Sequence, residues 1–285
     1  MSTDARSVLR RVGLSPKKSF GQNFLVSPHV VDAIARACVP DEEIGCTRVL
    51  ELGAGLGVLT HALAKRSRNV VAVERDRDLV PVLGDELATE IEANRVRIVE
   101  GDAQAVDPAE LLGEAAPESK RVLAGNLPYQ ITGRLLERAV AHADVLDRVV
   151  FMVQLEVADR LTAAAGTKAY GALTVFVRAA YRVKKLFDVS RGSFHPAPDV
   201  TSAVVMLEPH RPRLAEETDV FRALVKSAFG ARRKTLRNAW SKIADEATIA
   251  EAASKADIAL EARGETLEVE AFARMADLLT RVATH

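Results

Sequence analysis

Short runs rich in β-branched residues alternate with stretches of helical periodicity between residues 48 and 207. This alternation is typical of βαβ units, because two parallel neighbouring strands need a crossover connection, usually a helix, between them. The sequence therefore predicts a doubly wound α/β domain built around a parallel sheet. We expect seven strands, at residues 48–52, 70–74, 96–100, 122–124, 149–154, 183–187 and 203–207.

The pattern changes near residue 209. Pro209 and Pro212 lie within four residues of each other, which suits neither a helix nor a central strand and indicates a linker. Beyond it, apolar residues recur at helical spacing from 221 to 228 and from 272 to 282, which predicts a small all-helical domain. The predicted organisation is an N-terminal arm at 1–27, an α/β domain at 28–209 and a helical domain at 210–285.

Composition and cysteine content restrict the class of protein. The 285 residues are 48% hydrophobic, enough for one large core and a smaller one. The longest apolar run near the middle, 149–153, is far short of the ~20 residues of a membrane span, and charged residues occupy the N-terminus. We therefore expect a cytoplasmic protein with no membrane partner. Cys38 and Cys46 have no further ligands at zinc-site spacing, so we expect reduced structural thiols and no metal.

Net charge gives no indication of a nucleic-acid partner, because 39 Lys and Arg balance 39 Asp and Glu. The local charge is different, since residues 220–244 include seven basic residues and no acidic one. Such a run is either a solvated face or a surface for a partner of opposite charge. The basic residues are Arg222, Lys226, Arg232, Arg233, Lys234, Arg237 and Lys242.

Polar groups follow four of the predicted strands in succession. The first strand runs into a glycine turn at 51–57, the second stops at Glu74, the third at 101–103 and the fourth at 126–129. Ligands of doubly wound sheets bind outside the carboxyl ends of the strands, so we expect these groups to share one site. The predicted cofactor-binding residues at these ends are Glu51, Gly53, Gly55, Glu74, Asp102 and Ala103.

The residue types favour S-adenosylmethionine over a nicotinamide cofactor. The dinucleotide fingerprint G-x-G-x-x-G needs a third glycine where this sequence has Val58. A carboxylate at Glu51 would repel a pyrophosphate, whereas it suits the cationic ammonium and sulfonium groups of S-adenosylmethionine. Glu74, about twenty residues further on, is placed to accept both hydroxyls of a ribose.

The tetrapeptide Asn126-Leu127-Pro128-Tyr129 predicts the chemistry, although a plain turn is the alternative. An exocyclic adenine amine is a poor nucleophile because its lone pair is delocalised into the ring. If the Asn126 side-chain oxygen and the Leu127 carbonyl accept its N–H bonds, the nitrogen becomes tetrahedral and nucleophilic. Pro128 stiffens the loop and offers no competing N–H. Tyr129 is expected to stack on the flipped or unpaired base and to hold it in line with the methyl donor.

Six segments together resemble the small-subunit (16S) ribosomal RNA adenine dimethyltransferase family: ELGAGLG, the acid at 74, GDA, NLPY, RGSFHPAPDVTSAV and FGARRKTLRN. The resemblance covers essentially the whole chain. It implies a Rossmann-like seven-stranded S-adenosylmethionine-dependent methyltransferase fold with a small C-terminal helical domain that binds RNA and the subunit. It also implies conversion of two adjacent adenosines, in the 3′ hairpin loop of small-subunit RNA in the immature subunit, to N6,N6-dimethyladenosine. The family's cofactor contacts correspond to Asn23, Leu25, Gly53, Glu74, Asp102 and Asn126, with Asp102 at the cofactor adenine.

The N-terminal arm explains an unusually apolar stretch. Residues 20–25, FGQNFL, resemble the family's N-terminal motif, which folds back over the cofactor, and Phe24 is expected to shield the donor from water. Lys17 and Lys18, just upstream, are expected to meet RNA phosphate. The alternative is that Phe20 and Phe24 only anchor the arm to the core.

Two further predictions concern the RNA. Phe194 is expected to clamp the target adenine opposite Tyr129, the alternative being a core residue in a proline-stiffened loop. Phe229-Gly230-Ala231 is expected to end one helix, so that a basic cluster at the start of the next meets ribosomal RNA phosphates. Alternatively, the cluster pairs with Glu261, Glu265 or Asp245. The cluster is Arg232, Arg233, Lys234 and Arg237.

Competing functions remain open at this point. One is a large-subunit RNA or DNA adenine methyltransferase, although the long helical tail favours the small-subunit enzyme. Another is a non-enzymatic RNA-binding assembly or transcription factor, against which the intact tetrapeptide, Glu74 and Asp102 argue. After the tetrapeptide the family commonly has Asn-Ile-Ser, where this chain has Gln130-Ile131-Thr132, a difference that affects the shape of the base pocket.

Overall fold

The structure is a computed structural model that describes residues 5–114, 118–230 and 234–283. Two compact units are present. The N-terminal unit comprises Met1–Ala158 and Lys184–Glu208, and the C-terminal unit comprises Asp159–Val183 and Pro209–His285. The sequence predicts residues 159–183 as part of the α/β domain, whereas the structure groups them with the C-terminal unit. The reason is that the helix in this segment contributes apolar residues such as Val175 and Ala179 to the core of the C-terminal unit.

All seven predicted strands form one sheet, and a two-stranded sheet that the sequence did not predict accompanies it. The spatial order of the large sheet is β4-β3-β2-β5-β6-β9-β7. Neighbours from β4 through β6 run parallel, as expected, whereas β9 runs antiparallel to β6, so the sheet is mixed. The strands are β1 (Phe24–Leu25), β2 (Arg48–Leu52), β3 (Asn69–Glu74), β4 (Val96–Glu100), β5 (Arg121–Asn126), β6 (Arg148–Gln154), β7 (Tyr181–Val189), β8 (Phe194–His195) and β9 (Ser202–Pro209).

Helices follow most of the strands, as crossover connections require. The α-helices are α1 (Ala5–Val12), α2 (Pro28–Cys38), α3 (Val58–Arg66), α4 (Leu79–Glu86), α5 (Ala88–Glu92), α6 (Pro108–Leu112), α7 (Thr132–Ala141), α8 (Leu155–Leu161), α9 (Ala172–Ala180), α10 (Asp219–Gly230), α11 (Leu236–Trp240), α12 (Glu246–Ala256) and α13 (Val269–Ala283). Single 3₁₀ turns cover Lys18–Phe20, Asp41–Glu43, Tyr129–Ile131, Arg191–Ser193 and Gly264–Thr266.

The core of the N-terminal unit lies on both faces of the central strands. In β5 the four residues 122–125 are buried, and β6 is buried from 149 to 153, which is why these strands appear in the sequence as continuous apolar runs. Gly125 marks the tightest packing. A β-carbon at this position would lie 2.7 Å from the Leu52 carbonyl oxygen of the neighbouring strand, so no other residue fits there without a shift of the backbone.

In its described residues the C-terminal unit is helical, apart from the first residues of β7 and the last residue of β9, and it has its own core. Trp240 is fully buried, donates its indole N–H to the Leu224 carbonyl at 3.1 Å and packs edge-on against Phe272. From α9, Phe176 packs edge-on against Phe221 of α10 at 6.0 Å. These contacts confirm the predicted helical periodicity in this part of the chain.

Candidate active site

The four polar strand ends converge on one pocket, as the sequence predicted. Its walls are the glycine turn after β2, Glu74 at the end of β3, residues 101–103 after β4 and residues 126–129 at the end of β5. A fifth wall is residues 19–24 of the N-terminal arm. The pocket encloses about 960 Å³, open solvent at its mouth included.

The glycine turn is required by its backbone geometry. Gly53, Gly55 and Gly57 have φ angles of 77°, 59° and 80°, in the left-handed region where other residues are strained. A β-carbon on Gly55 would lie 3.2 Å from the ring of Phe24. The arm therefore packs directly against the turn, and α3 begins at Val58 immediately after it.

Glu74 is held in place by backbone donors before any ligand is considered. Its Oε1 accepts the N–H groups of Arg75 and Asp76 at 2.8 and 2.7 Å, and its Oε2 accepts the Gly55 N–H at 2.7 Å. The residue is 7% exposed and lines the pocket. A carboxylate has about four acceptor positions, so this one retains capacity for a hydroxyl donor on the pocket side.

Asn126 is oriented by the arm. Its Nδ2 donates to the Asn23 carbonyl oxygen at 2.9 Å. Because a carbonyl only accepts, this contact fixes which end of the amide is nitrogen and leaves Oδ1 as the other end. Leu127 is anchored through its own N–H, which donates to the Met152 carbonyl at 3.3 Å. The structure thus places Asn126 and the Leu127 backbone together at one strand end, as predicted.

Tyr129 lines the pocket and is held by a residue that sequence reasoning missed. Its hydroxyl lies 2.7 Å from the Oγ of Ser202, a fully buried residue at the start of β9. Burial raises the pKa of Tyr129, and the Ser202 hydrogen bond opposes this shift. The hydrogen bond fixes the direction of the ring. Ser202 is absent from any local motif around Tyr129, so only the tertiary structure reveals it.

Two of the predicted site residues are in the hydrophobic core instead. Phe194 is 3% exposed, Leu25 is 5% exposed, and neither side chain is among the described residues that line the pocket. The reason is that β1 and β8 pair with Leu25 opposite Phe194, so both join the core cluster. In this conformation Phe194 is a core residue, and its predicted clamp opposite Tyr129 is not formed.

Glu51 is also absent from the described residues that line the pocket. Its side chain is 1% exposed on the face of β2 that meets Thr60 of α3. Burial raises the pKa of Glu51 to about 8, the Thr60 hydroxyl opposes the shift, and the charge of Glu74 adds to it. Oε2 of Glu51 and Oγ1 of Thr60 nevertheless have no partner at hydrogen-bond geometry. The predicted direct contact of Glu51 with a cationic ligand is not supported, because the carboxyl is buried and does not line the pocket.

The Lys17 side chain is partly exposed, but its charge is paired within the protein. Its Nζ lies 2.5 Å from Oδ1 of Asp76 and 2.6 Å from Oδ2 of Asp78. The predicted phosphate contact of Lys17 is therefore wrong, because its charge is neutralised by two carboxylates from the loop after β3. Lys18 is exposed, so its predicted contact with RNA stays a prediction.

The basic cluster of the C-terminal unit follows the alternative interpretation where it can be described. Arg237 pairs with Glu261 at 2.8 Å and with Glu246 at 3.5 Å. Arg232 and Arg233 lie outside the described residues, and Lys234 is exposed. Helix α10 ends at Gly230, as predicted, and α11 begins at Leu236.

Remaining pocket residues agree with the sequence interpretation. Asp102 and Ala103 line the pocket, with Oδ1 of Asp102 accepting the Gln104 N–H at 2.9 Å and Oδ2 lying 3.8 Å from Arg75. Gln130 follows the tetrapeptide and packs against the arm, since a β-carbon on Gly21 would collide with its amide.

Cys38 is buried, Cys46 is exposed, and both are free thiols.

Among residues 5–114, 118–230 and 234–283, no helix has both the length and the apolar character needed to cross a membrane. Over the same residues, no group of three or more His, Cys, Asp or Glu side chains is arranged to hold a metal ion.

The fold and the pocket define the class of protein, a Rossmann-like methyltransferase. The structure superposes on the crystal structure of a dimethyladenosine transferase from Plasmodium falciparum with a TM-score of 0.71 and 25% identity, covering 88% of this chain and 95% of that one. The crystal structure of the 23S rRNA methyltransferase ErmE shares the fold, with a TM-score of 0.66, 24% identity, and coverage of 90% and 100%.

The chain belongs to the ribosomal RNA adenine dimethylase family, whose model matches residues 13–281. It is 42% identical to the ribosomal RNA small subunit methyltransferase A of Pelotomaculum thermopropionicum, over 95% of this chain and 94% of that protein. The protein of the same name from Geobacter metallireducens is also 42% identical, over 94% and 96% of the two chains. The predicted family and fold class are therefore confirmed.

Proposed function

We propose that this protein is an S-adenosylmethionine-dependent methyltransferase that forms N6,N6-dimethyladenosine in small-subunit ribosomal RNA. The proposed substrate is the pair of adjacent adenosines in the 3′-terminal hairpin loop of 16S RNA, within the immature subunit in the cytoplasm. One observation carries the proposal: the Nδ2 of Asn126 is held by the Asn23 carbonyl at 2.9 Å in a pocket built from four strand ends. An amide held in this way presents its oxygen to a donor such as an amine.

The pocket residues fit the methyl donor. Glu74 would hold the ribose hydroxyls, because its carboxylate is buried, already oriented and unpaired by any cation among the described residues. Asp102 and Ala103 would meet the adenine, and Gly53 and Gly55 let the ligand approach the backbone. S-adenosylmethionine supplies an electrophilic methyl group. The absence of the third fingerprint glycine at Val58 supports this donor over a dinucleotide.

The chain's own residues activate the acceptor amine. Oδ1 of Asn126 and the Leu127 carbonyl would accept the two N–H bonds of adenine N6, which draws the nitrogen out of conjugation with the ring. Tyr129 would stack on the base, with its ring direction set by Ser202. No general base is needed before transfer, because the methylated amine loses its proton readily afterwards.

RNA binding is assigned to two surfaces. Lys18 of the arm is exposed beside the pocket wall, and the C-terminal unit exposes Lys226, Lys234 and Lys242. An RNA substrate needs positive charge of this kind, since phosphate neutralisation supplies most of the sequence-independent affinity. We propose that the arm and α/β part carry out catalysis and that the helical unit binds RNA and the subunit.

The test uses small subunits from cells that lack the gene. Purified protein and S-adenosylmethionine are added, and the 3′ hairpin is then copied by reverse transcription. Dimethylated adenosines block Watson–Crick pairing, so the reverse transcriptase stops at them. Wild-type protein should restore the stop. Asn126→Ala should lower the methylation rate by about 10²–10³-fold, with a smaller effect on donor affinity.

The matched control is Asn94→Gly, because Asn94 is exposed with a φ of 55° that glycine adopts without strain. This variant should methylate at the wild-type rate. Near wild-type methylation by Asn126→Ala would make Asn126 a turn residue only. Methylation of large-subunit RNA instead of the 3′ hairpin would contradict the proposed substrate.

A further inference from the structure

A buried carboxylate fastens residues 17–22 of the arm, between α1 and β1, to the rest of the N-terminal unit, in addition to the pairing of β1 with β8. The side chain of Asp76, in the loop after β3, is 2% exposed. Its Oδ1 lies 2.5 Å from the Nζ of Lys17, and its Oδ2 accepts the side-chain Nε2 of Gln22 at 2.7 Å. The two arm residues are also bonded to each other, since the Lys17 N–H donates to Oε1 of Gln22 at 2.7 Å. Both oxygens of Asp76 are therefore occupied by the arm.

The fastened segment is a wall of the pocket. Residues 19–24, which follow Lys17 directly, line it. Phe20 is held under two cations, with the Arg75 guanidinium 4.8 Å and the Lys17 Nζ 5.4 Å from its ring centroid. The Asn23 carbonyl at the other end of this wall holds Asn126. A release of the arm would thus open the pocket and free the Asn126 amide together.

The chemistry of the contacts makes the closed arm the favoured state. A buried carboxylate that loses its hydrogen-bond partners is strongly destabilised. Burial alone would raise the pKa of Asp76, but the hydrogen bonds from Lys17 and Gln22, together with one from the Asp78 backbone N–H, outweigh it and lower that pKa below its usual value. Asp78, the second partner of Lys17, is 57% exposed, so its contribution is small by comparison.

We infer that Lys17, Gln22 and Asp76 form a latch that retains the methyl donor by holding the arm closed over the pocket. This inference rests on the proposed function, in that the retained ligand is S-adenosylmethionine. The three are positioning residues. None of them needs to touch the reacting atoms, because they act through the pocket wall and through Asn23.

A latch has a kinetic signature that a catalytic residue lacks. Donor release requires the arm to open, so the dissociation rate rises by the factor by which the closed state is weakened. Loss of a hydrogen bond to a charged group changes an equilibrium by roughly ten- to a hundred-fold. At saturating donor the bound ligand itself keeps the arm closed and Asn126 in place. The KM for S-adenosylmethionine should therefore rise while kcat is retained.

The experiment compares the full-length wild type with Lys17→Ala and Asp76→Asn. Stopped-flow displacement of S-adenosylmethionine gives the dissociation rate, and methylation of small subunits at varied donor concentration separates KM from kcat. Both variants should release the donor about ten-fold faster or more, raise KM accordingly and keep kcat within about two-fold. Lys17→Arg, which keeps the cation, should restore slow release.

Lys65→Ala is the matched control, because it removes the same charge from an exposed residue near the end of α3 and should release the donor at the wild-type rate. If Asp76→Asn fails to fold, Gln22→Ala removes one neutral side chain from the latch and should still speed release by about three-fold or more. Wild-type release from Lys17→Ala and Gln22→Ala, or a loss of kcat at unchanged KM, would overturn the latch alone. If wild-type protein binds no S-adenosylmethionine, the proposed function falls, and the latch falls with it.

Discussion

Replacing Glu51 by glutamine should change how stability depends on pH. Glu51 is 1% exposed, and burial, opposed by the Thr60 hydroxyl and aided by the charge of Glu74, raises its pKa from 4.5 to about 8. The folded protein therefore holds this proton more tightly than the unfolded chain does. The resulting stabilisation is complete below the unfolded pKa of 4.5 and is lost as the pH rises through 8.

The magnitude follows from proton linkage. Between the two pKa values the loss is about 1.36 kcal/mol per pH unit for one proton. From about pH 5.5 to about pH 7.5 the wild type should therefore lose about 2.7 kcal/mol of unfolding free energy that Glu51→Gln does not lose. At roughly 2–4 °C per kcal/mol for a chain of this size, the melting temperature of the variant should gain about 5–10 °C relative to wild type over this interval.

Thermal unfolding followed by circular dichroism across this pH range is the assay. The quantity to follow is the difference in melting temperature between the variant and wild type, and how that difference changes with pH. Any packing cost of the glutamine that does not depend on pH cancels in this change. Glu92→Gln, at an exposed position at the end of α5, is the control. Its difference in melting temperature from wild type should be the same at every pH in this range. The buried, protonated carboxyl would be refuted if the difference in melting temperature between Glu51→Gln and wild type did not change with pH. It would also be refuted if the variant gained stability relative to wild type as the pH fell.

Three further predictions concern the site and the RNA. Glu74→Gln replaces one acceptor oxygen by a donor and should weaken S-adenosylmethionine binding about ten- to a hundred-fold by calorimetry, whereas unchanged binding would remove Glu74 from the donor site. Ser202→Ala leaves the Tyr129 hydroxyl without its partner at 2.7 Å and should lower kcat about five-fold at unchanged donor affinity. Tyr129→Phe should lower kcat by the same factor. Additive losses in the double variant would contradict a shared role of the two hydroxyls. Combined replacement of Arg232, Arg233 and Lys234 by alanine should reduce the slope of log K against log salt for single-stranded RNA by about 2, at about 0.7 per phosphate, whereas Arg237→Ala should leave it unchanged because Glu261 and Glu246 already pair that arginine. Equal slopes for wild type and the triple variant would place the RNA site elsewhere.

Local patterns in the sequence were sufficient for most of the sheet and for the pocket. A buried strand is visible as a short apolar run, and β5 and β6 are buried along nearly their whole length. The carboxyl ends of parallel neighbours meet at one edge, so Glu74 and Asn126 were placed together without knowledge of tertiary contacts. The glycine turn was equally visible, because its positive φ angles leave few alternatives.

Long-range pairing was not accessible in the same way. Nothing local distinguishes β9, antiparallel to β6, from a parallel strand. The charged run Arg75-Asp76-Arg77-Asp78 is visible after Glu74, yet its partner Lys17 lies 59 residues earlier in the chain. The segment 159–183 has the same composition whichever core it joins. Each of these outcomes depends on which surfaces meet, and that information is distributed over the whole chain.

The residue type alone predicts a misleading role for Glu51. A glutamate at this position is expected to carry a negative charge that attracts a sulfonium. With a pKa of about 8 and 1% exposure, the group is mostly protonated near neutral pH and contributes little such attraction. The remaining evidence for the methyl donor is the carboxylate of Glu74, which backbone N–H groups hold at the pocket, and the valine at 58. Both are independent of Glu51.

The arm connects the two halves of the proposed reaction. The same segment supplies a wall of the donor pocket and, through the Asn23 carbonyl, the bond that orients Asn126. A donor site and an acceptor site that share one support are coupled, because a displacement of the arm that opens the donor pocket would also release the amide that receives the adenine. On the proposed function, the adenine site is therefore complete only while the arm is closed over the donor. Activation of the amine is thereby confined to complexes in which a methyl group is available.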